Sequence, residues 1–382
     1  MQQRIDKLGV VIALTLAGAA FLPLATYRAN RIAGGEGKSI AEALPAWAAV
    51  ALALVLVAAA LVALIRSSTG LRLGTSLAGI AALALAVGFS AIYLTPEGDR
   101  YARVAPGSGF WLALFGLAIM AADAMVRLRL GPTARIAGVL LFFGALGLLL
   151  VSGVWDGLSI LKEYSGRADV FWREAGTHMT LAVGSLAAAV AVGLPLGIAA
   201  DRVDRLRAPV LNVLNIVQTI PSIALFGILI APLGWLAANV PGAAAIGIRG
   251  IGIAPAFVAL FLYSLLPMVA NTVVGLRGVA REAVEAARGM GMTNAQRLFK
   301  VELPLAAPLI LTGIRIVLVQ NIGLATIAAL IGGGGFGVFV FQGIGQTATD
   351  LILLGAVPTV LLAFAAAVVL DAVVELTAKG AP

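Results

Sequence analysis

The sequence predicts an all-α polytopic membrane protein with about ten transmembrane helices. Of its 382 residues, 61% are hydrophobic and only 12% are charged. The mean hydropathy is +1.05, which is far above the range of soluble globular domains. The apolar stretches are long and continuous, whereas barrel strands would alternate between apolar and polar residues. A lipid bilayer is therefore the expected solvent for most of the chain.

Ten apolar stretches are long enough to cross the hydrocarbon core of a bilayer. The first five lie at roughly 8–27, 44–65, 72–95, 109–127 and 135–155. The other five follow a more polar segment and lie at roughly 177–200, 208–232, 251–276, 304–332 and 351–375. Their many glycine and alanine residues suit close helix–helix packing in lipid.

This pattern divides the chain into three parts. Residues 1–155 form an N-terminal five-helix membrane region, and residues 156–176 form a linker on the external side. Residues 177–376 form a C-terminal core of five helices. Within this core, the polar loop 277–303 connects the third and fourth predicted helices.

The distribution of charge predicts which side of the membrane each loop faces. Lys and Arg are more frequent on the side that carries both chain termini and loop 277–303, as in cytoplasmic loops. Tryptophans fall at the opposite ends of the predicted spans, where an interfacial belt would hold them. They are Trp47, Trp111, Trp155, Trp172 and Trp235. The N- and C-termini are therefore predicted to be cytoplasmic.

The start of the chain imitates a secretory signal peptide, because Arg4 and Lys7 precede an apolar run. Cleavage near Ala25 would leave an odd number of spans. Retention of the segment keeps both termini and loop 277–303 on one side of the membrane. We therefore expect this segment to remain as the first helix.

Composition excludes several classes of function. The chain has a net charge of +8, no cysteine and a single histidine, His178. Its basic residues are scattered over short loops, so we expect contact with lipid and no nucleic-acid partner. Without cysteines and with one histidine, no metal site or other cofactor is expected. The sequence lacks a Gly-x-x-x-x-Gly-Lys-Ser/Thr phosphate loop, a Gly-x-Ser-x-Gly motif and a His-Glu-x-x-His motif, so it predicts no enzyme.

Loop 277–303 has a pattern of its own. Small apolar residues recur at near-helical spacing opposite Arg and Glu, which predicts a short helix with a small, flat apolar face. Gly291 then predicts a sharp turn without room for a branched side chain. Thr293 and Gln296 have the spacing of a capping box at the start of a second short helix. Pro304 marks the beginning of the next span.

The same loop resembles the EAA loop of permease subunits from binding-protein-dependent ABC importers. That motif is EAA, three residues, Gly, nine residues and Ile-x-Leu-Pro, and the only departure here is Val301 in place of Ile. The resemblance assigns coupling to an ATPase to a set of loop residues. They are Glu285, Ala286, Ala287, Gly291, Val301, Leu303 and Pro304. The alternative is an ordinary amphipathic connector.

The resemblance also implies partners. Two permease subunits, identical or paralogous, would form the pathway, and two cytoplasmic ATPase subunits would bind the EAA loops. An external substrate-binding protein would deliver the solute. The chain itself would be a transport subunit without a cofactor, in the plasma or inner membrane of a bacterial cell.

Further stretches resemble the osmoprotectant branch of these permeases, which carries glycine betaine, choline and proline betaine. They are Gln218–Ser222, Ala259–Pro267, Asn321–Thr326 and Ile331–Gly337. The resemblance begins near residue 175, and residues 1–155 look like the extra N-terminal membrane region of a longer variant. A small quaternary-amine osmolyte is the substrate that this resemblance implies.

Two other functions compete with this interpretation. The first is an ABC importer permease for another small solute, such as an amino acid, a sulfonate or a metal chelate, because these importers share the EAA loop. The second is an ATP-independent secondary transporter or an integral membrane enzyme. That function would need carboxylates or catalytic groups at mid-membrane, and the predicted spans contain almost none.

Polar residues inside the core spans are candidates for the translocation pathway. Gln218, Asn271 and Asn321 would be unfavourable in contact with lipid. Pro221 interrupts a span, and carbonyl groups freed by such a break can coordinate a cation. The alternative is that these side chains form hydrogen bonds between helices.

A few isolated features complete the predictions. His178 is expected at the membrane interface, and Asp123 is expected to pair with Arg127 four residues later. Arg315 could extend towards the interface, pair with another helix or line a cavity. The run Gly332–Gly335 fits either a re-entrant gate or a flexible outer loop.

Overall fold

A computed structural model describes residues 6–31, 33–99 and 101–380, so Arg4 lies outside the described residues. The chain divides into two compact units. The first comprises Met1–Gly131 and Leu140–Gly166, and the second comprises Pro132–Val139 and Arg167–Pro382. The divisions do not follow helix boundaries throughout, because one helix contributes its first residues to the second unit.

The first unit is built mainly from long apolar helices, joined by three short strands. In chain order, the elements are α1 Lys7–Ala20, β1 Ala25–Arg28, β2 Glu36–Lys38, α2 Ile40–Ala43, α3 Ala46–Leu64, α4 Thr69–Leu94, β3 Arg103–Pro106, α5 Ser108–Leu128, α6 Pro132–Val151 and α7 Ser159–Ser165.

Small residues and leucines make the core of the first unit. Ile12 and Leu16 of α1 are buried together with Leu56 of α3. Gly9 lies so close to α3 that an added Cβ would stand 1.8 Å from the carbonyl oxygen of Ala63. The absence of a side chain therefore sets the distance between these two helices.

The predicted first span, 8–27, is wrong over its last seven residues, 21–27. Helix α1 ends at Ala20, and the chain then enters β1, the central strand of a small antiparallel sheet with the order β2-β1-β3. Fourteen helical residues rise only about 21 Å, less than the ~30 Å of a bilayer core. The all-α prediction therefore missed one sheet, in which Tyr27 pairs with both Glu36 and Val104.

Four charged side chains, which we call the quartet, meet at the ends of α1, α4 and α5. The Arg72 side chain is 1% exposed, and its nitrogens lie 3.1 Å from Asp6 Oδ2 and 3.4 Å from Asp123 Oδ2. Arg127 contacts the same two carboxylates at 3.1 and 2.9 Å. The predicted pair of Asp123 and Arg127 is thus confirmed as part of a larger, charge-balanced cluster.

The second unit contains the remaining helices. They are α8 Ala168–Arg202, α9 Asp204–Thr219, α10 Ser222–Asn239, α11 Ile253–Arg277, α12 Arg281–Gly289, α13 Asn294–Arg297, a π-helical turn Leu298–Glu302, α14 Leu303–Ala325, a 3-10 turn Ile327–Ile331, α15 Gly337–Gly345 and α16 Thr349–Gly380.

One predicted span of the second unit is broken in two. The stretch 208–232 contains the end of α9 and the start of α10. Ile220 has φ −71° and ψ 126°, an extended conformation that the following Pro221 favours. Only α10, with 18 residues, qualifies as a membrane span.

Among the described residues, nine helices are long and apolar enough to cross a membrane. They are α3, α4, α5, α6, α8, α10, α11, α14 with the preceding α13, and α16. The predicted fold class, a helical membrane protein with about ten spans, is therefore confirmed. The remaining predicted span corresponds to α1, which is apolar but shorter than the other nine. Helix α8 starts at Ala168, so the polar stretch 156–176 contains α7 and the beginning of α8.

Candidate functional site: the coupling segment and the buried polar residues of the second unit

Residues 277–303, called the coupling segment from here on, fold as two short helices joined by a tight turn. Helix α12 ends at Gly289, and the Met292 N–H then donates to the Ala287 carbonyl at 3.2 Å. Gly291 has φ +77°, in the left-handed region that favours glycine. The expected lack of room is wrong, because an added Cβ at Gly291 would meet nothing within 4 Å. Backbone conformation is what requires glycine here.

The predicted capping box at the second helix is confirmed. Thr293 Oγ1 accepts a hydrogen bond from the Gln296 N–H at 3.3 Å, and the Gln296 side chain accepts one from the Thr293 N–H at 2.9 Å. These two bonds satisfy backbone donors at the start of α13. They also fix the direction of the chain as it leaves the Gly291 turn.

The coupling segment presents a mixed surface. Glu285 and Ala286 are exposed, whereas Ala287 is only 1% exposed and faces the interior of the segment. Glu285 pairs with Arg281 at 3.5 Å. Met290 and Phe299 are exposed by 70% and 67%, and exposed apolar side chains with a charged rim suit a protein partner.

The coupling segment ends in a π-helical turn, Leu298–Glu302, that leads into α14. Val301 and Leu303 are half-buried beside Glu302, and Pro304 is exposed on the first turn of α14. Glu302 is 3% exposed, which sequence reasoning missed. The position of this carboxylate between the apolar residues Val301 and Leu303 was the signal that could have revealed it.

The Glu302 carboxylate is held by two arginines. Its Oε1 accepts from Arg297 Nε at 2.7 Å, and its Oε2 accepts from Arg202 Nη2. Arg202 is in the last turn of α8. The end of the coupling segment is thus tied directly to α8.

Gln218 and Pro221 lie together at the break between α9 and α10. Gln218 Nε2 donates to the Tyr263 carbonyl at 2.8 Å. The Tyr263 hydroxyl donates in turn to the carbonyl of Ile220, the residue before Pro221. The carbonyl oxygen of Ile220, which lies at the break between the two helices, is therefore bound by α11. Tyr263 is a second residue that sequence reasoning missed.

Asn321 is fully buried between three helices. Its amide Nδ2 donates to Ser185 Oγ of α8 and Ser264 Oγ of α11, both at 2.9 Å. Asn321 itself belongs to α14. Because a buried amide needs partners, these bonds set the relative height of the three helices.

Asn271 lies further along α11. It is half-buried, and its Nδ2 donates to the Pro267 carbonyl at 2.8 Å. Gly313 of α14 packs against it, since an added Cβ would stand 2.9 Å from Asn271 Cβ. Seven residues separate Asn271 from Ser264, a rise of about 10 Å along the helix. Gln218, Asn271 and Asn321 therefore lie on or against α11 at two heights, and Pro221 follows Ile220, which α11 binds.

The run Gly332–Gly335, called the glycine loop from here on, is packed against α8. The Gly335 N–H donates to Glu174 Oε2 at 2.8 Å, and the Phe336 N–H donates to His178 Nδ1 at 3.4 Å. His178 is 0% exposed. His178 therefore packs against the glycine loop, which is held by side chains of α8. The expected depth of His178 at the membrane interface stays a prediction.

The open question about Arg315 is resolved by an ion pair. Its Nη1 contacts Asp371 Oδ1 of α16. The same carboxylate accepts from Arg135 at 2.5 Å, and Arg135 also pairs with Glu375. Arg135 lies in Pro132–Val139, the part of α6 that belongs to the second unit. Arg315 thus pairs with a neighbouring helix.

Comparison with known proteins covers nearly the whole chain. Residues 190–381 match the model described as "Binding-protein-dependent transport system inner membrane component". Residues 6–161 match the model described as "ABC transporter permease YehY, N-terminal domain". The second match confirms the expected longer variant with an extra N-terminal membrane region.

Curated relatives align with about half of the chain. The choline transport system permease protein OpuBB of Bacillus subtilis (strain 168) is 39% identical over 186 residues, which are 49% of this chain and 78% of the relative. The osmoprotectant import permease protein OsmW of Salmonella typhimurium (strain LT2) is 43% identical over 186 residues, with 49% and 81% covered. The glycine betaine/carnitine/choline transport system permease protein OpuCB of Bacillus subtilis (strain 168) is 36% identical over 206 residues, with 54% and 86% covered.

These matches explain the features already described. A coupling segment with a solvent-exposed helix and turn, a set of apolar spans and buried polar contacts between them suit a transport subunit better than an enzyme. The chain belongs to the family of binding-protein-dependent transport system inner membrane components, and is a multi-pass permease subunit of an ABC importer in the inner membrane.

Proposed function

We propose that this permease moves a small quaternary-amine osmolyte, such as glycine betaine or choline, into the cytoplasm. The observation that carries the proposal is the identity of 36–43% with permeases named for choline, glycine betaine, carnitine and osmoprotectants. High-affinity recognition is assigned to an external substrate-binding protein, because the family is that of binding-protein-dependent transport systems.

The coupling segment is the docking site for cytoplasmic ATPase subunits in this proposal, which also places both chain termini in the cytoplasm. Exposed Met290 and Phe299 support it, as does the surface of Glu285 and Ala286. Gly291 and Pro304 contribute by directing the chain into and out of this surface. A second permease, identical or paralogous, completes the translocation pathway.

The pathway is assigned to Gln218, Pro221, Asn271 and Asn321. Gln218 and Asn271 are half-buried, which leaves their amides accessible to a solute after a small movement. Asn321 is buried in hydrogen bonds to Ser185 and Ser264. When the helices separate, hydrogen bonds to water or solute replace these contacts. We therefore expect alternating access to change the environment of Asn321 more than that of Gln218 or Asn271.

Uptake by the complete transporter tests the substrate. The permease, its ATPase and its binding protein are reconstituted into vesicles, and radiolabelled glycine betaine, choline and proline are supplied. ATP-dependent accumulation of glycine betaine or choline is the expected result. Glycine, which lacks the three N-methyl groups of glycine betaine, is the matched control. Accumulation of an amino acid or sulfonate without either quaternary amine would assign the permease to another solute.

Cysteine labelling tests the pathway, because the native chain contains no cysteine. Gln218→Cys, Asn271→Cys and Asn321→Cys should react with a small charged thiol reagent, with a rate that changes when ATP is trapped on the ATPase. Thiols react as thiolates, which form only where water reaches them. Val360→Cys is the control. Val360 is 65% exposed on the apolar span α16, where we expect it to face lipid, so its thiol should stay unreactive. If all three test positions also stay unreactive while uptake continues, their role is limited to hydrogen bonding between helices.

Residues 1–155 are assigned as a separable N-terminal region, with 156–176 as the connection to the core 177–376. A chain that begins at Asp156 behind a replacement leader should insert and recruit the ATPase. The matched variant is full-length Arg135→Gln, which removes only the contacts of Arg135 with Asp371 and Glu375. If neither chain inserts and recruits the ATPase, the defect is traced to the loss of Arg135, which the truncated chain also lacks. Failure of the truncated chain alone would show that the N-terminal helices belong to the core.

A further inference from the structure

The last turn of α8 carries two adjacent residues of opposite charge, Asp201 and Arg202. Each contacts one end of the coupling segment. Arg277, at its start, lies 3.5 Å from Asp201 Oδ1, and Glu302, at its end, accepts from Arg202. A single turn of helix therefore holds both ends of the segment on which we place the ATPase.

The two contacts differ in burial. The Glu302 side chain is 5% exposed, and Arg297, which also pairs with it, is 8% exposed. In contrast, Arg277 is 51% exposed, and it also lies 3.4 Å from the exposed Asp204. Solvent screens the Arg277 contact, whereas the Glu302 carboxylate is almost fully buried and is screened much less. Glu302 is therefore the firm connection.

The backbone is also unusual at Glu302. The π-helical turn Leu298–Glu302 separates α13 from α14, and Glu302 is its last residue. Isolated π-helical turns are uncommon and frequently lie at functional sites. Movement of α12 and α13 reaches α14 through this turn. Among the described residues, the Glu302 carboxylate makes one of two ionic contacts between the segment and α8, and the other is the contact of Arg277 with Asp201.

Helix α8 also has a contact at its far end. Its 35 residues span about 52 Å. Near its start, Glu174 and His178 bind the N–H groups of Gly335 and Phe336, which follow α14 in the chain. Helix α8 therefore contacts the coupling segment through Arg202 and the glycine loop through Glu174 and His178, and Pro195 lies inside the helix between these two contacts.

We propose that Glu302, held between Arg202 and Arg297, is the positioning residue that transmits movement of the coupling segment to α8. The proposal rests on the docking of the ATPase at this segment. Arg297 keeps the carboxylate in place, and Arg202 carries its displacement to α8. Asp201 and Arg277 guide the other end of the segment with a weaker contact.

Removal of Arg202 tests this role with little risk to folding, because Glu302 keeps its bond to Arg297 and Arg202 is itself 38% exposed. In the reconstituted complex with ATPase and binding protein, Arg202→Gln and Glu302→Gln should retain ATPase recruitment and hydrolysis within about twofold of wild type. Solute moved per ATP should fall by about tenfold, a factor within the usual range for coupling between sites. Arg202→Lys, which keeps the charge, should recover most of that ratio.

The matched control is Arg205→Gln, which removes an exposed arginine three residues beyond Arg202. It should leave the ratio of solute to ATP unchanged. An unchanged ratio in Arg202→Gln and Glu302→Gln would overturn the proposal. Loss of ATPase recruitment in these variants would also overturn it, by assigning Glu302 to the shape of the docking surface. If the wild-type permease recruits no ATPase, the proposed docking site fails instead.

Discussion

Each unit of this permease has a cluster of charged side chains at the ends of its helices, and the clusters differ in their charge balance. The quartet of the first unit contains two aspartates and two arginines. The cluster at Glu302 contains one carboxylate and two arginines. Every member of the quartet has two partners of opposite charge, whereas Arg202 and Arg297 share a single carboxylate.

The two clusters also differ in the elements that they join. The quartet joins α1, α4 and α5, and Arg72 at its centre is buried. Breaking a balanced buried cluster leaves an uncompensated charge, which is strongly destabilising. The Glu302 cluster joins a surface segment to one long helix, and one of its two arginines, Arg202, is partly exposed. Loss of Arg202 should therefore change coupling more than stability.

The largest expected effect is on stability, from Arg72→Met. Asp6 and Asp123 would then share Arg127 alone, and a broken buried ion cluster costs about 3–5 kcal/mol. Unfolding of the purified protein in detergent measures the change. Arg66→Met, an exposed arginine shortly before α4, should change stability by less than about 0.5 kcal/mol. Equal effects of the two substitutions would mean that the quartet adds no stability.

A second effect separates backbone strain from partner contact. Gly291→Ala places a side chain at φ +77°, which costs about 1–2 kcal/mol, and should weaken co-purification of the ATPase. Gly98→Ala in the first unit is the control, because Gly98 has φ +79° and equally open surroundings. It should carry the same strain without any change in ATPase recruitment. If both variants recruit the ATPase normally, the Gly291 turn does not shape the docking surface.

The quartet also predicts a dependence on pH. Burial raises the pKa of Asp6, but the Gly9 N–H and the charges of Arg72 and Arg127 outweigh it and hold the pKa below its ordinary value of 3.8. A lowered pKa means that Asp6 stabilises the fold fully above its unfolded pKa, and that this contribution is lost as the pH falls through the folded pKa. The difference in unfolding free energy between wild type and Asp6→Asn should be constant near neutral pH and shrink below about pH 4. A difference that stays constant down to strongly acidic pH would exclude Asp6 as the titrating group.

The smallest effect is expected from Asp201→Asn. Its partner Arg277 is 51% exposed, and exposed ion pairs contribute less than about 1 kcal/mol. The defect in uptake should be slight at low salt and should disappear at about 0.5 M salt, where screening is strong. The defect of Glu302→Gln should persist under both conditions, because its site is buried. Equal sensitivity to salt in the two variants would remove the distinction between the firm and the weak contact.

Local patterns in the sequence were sufficient for much of the fold and for part of the candidate site. Continuous apolar stretches predicted the spans, because a bilayer requires length and hydrophobicity that are visible residue by residue. The capping box of Thr293 and Gln296 and the pair of Asp123 and Arg127 were predictable for the same reason. In each case the partners are three or four residues apart, so a helix alone brings them together.

Residues distant in the sequence required the tertiary structure. Glu302 meets Arg202 across 100 positions, and Asn321 meets Ser185 across 136. Their polarity was visible in the sequence, but the partner of a buried polar group depends on which helices pack together. The small sheet and the burial of His178 depend on packing in the same way. Sequence determined which segments leave water and which loop resembles a coupling loop, and tertiary structure decided the partners of each buried charge, because those partners come from separate helices.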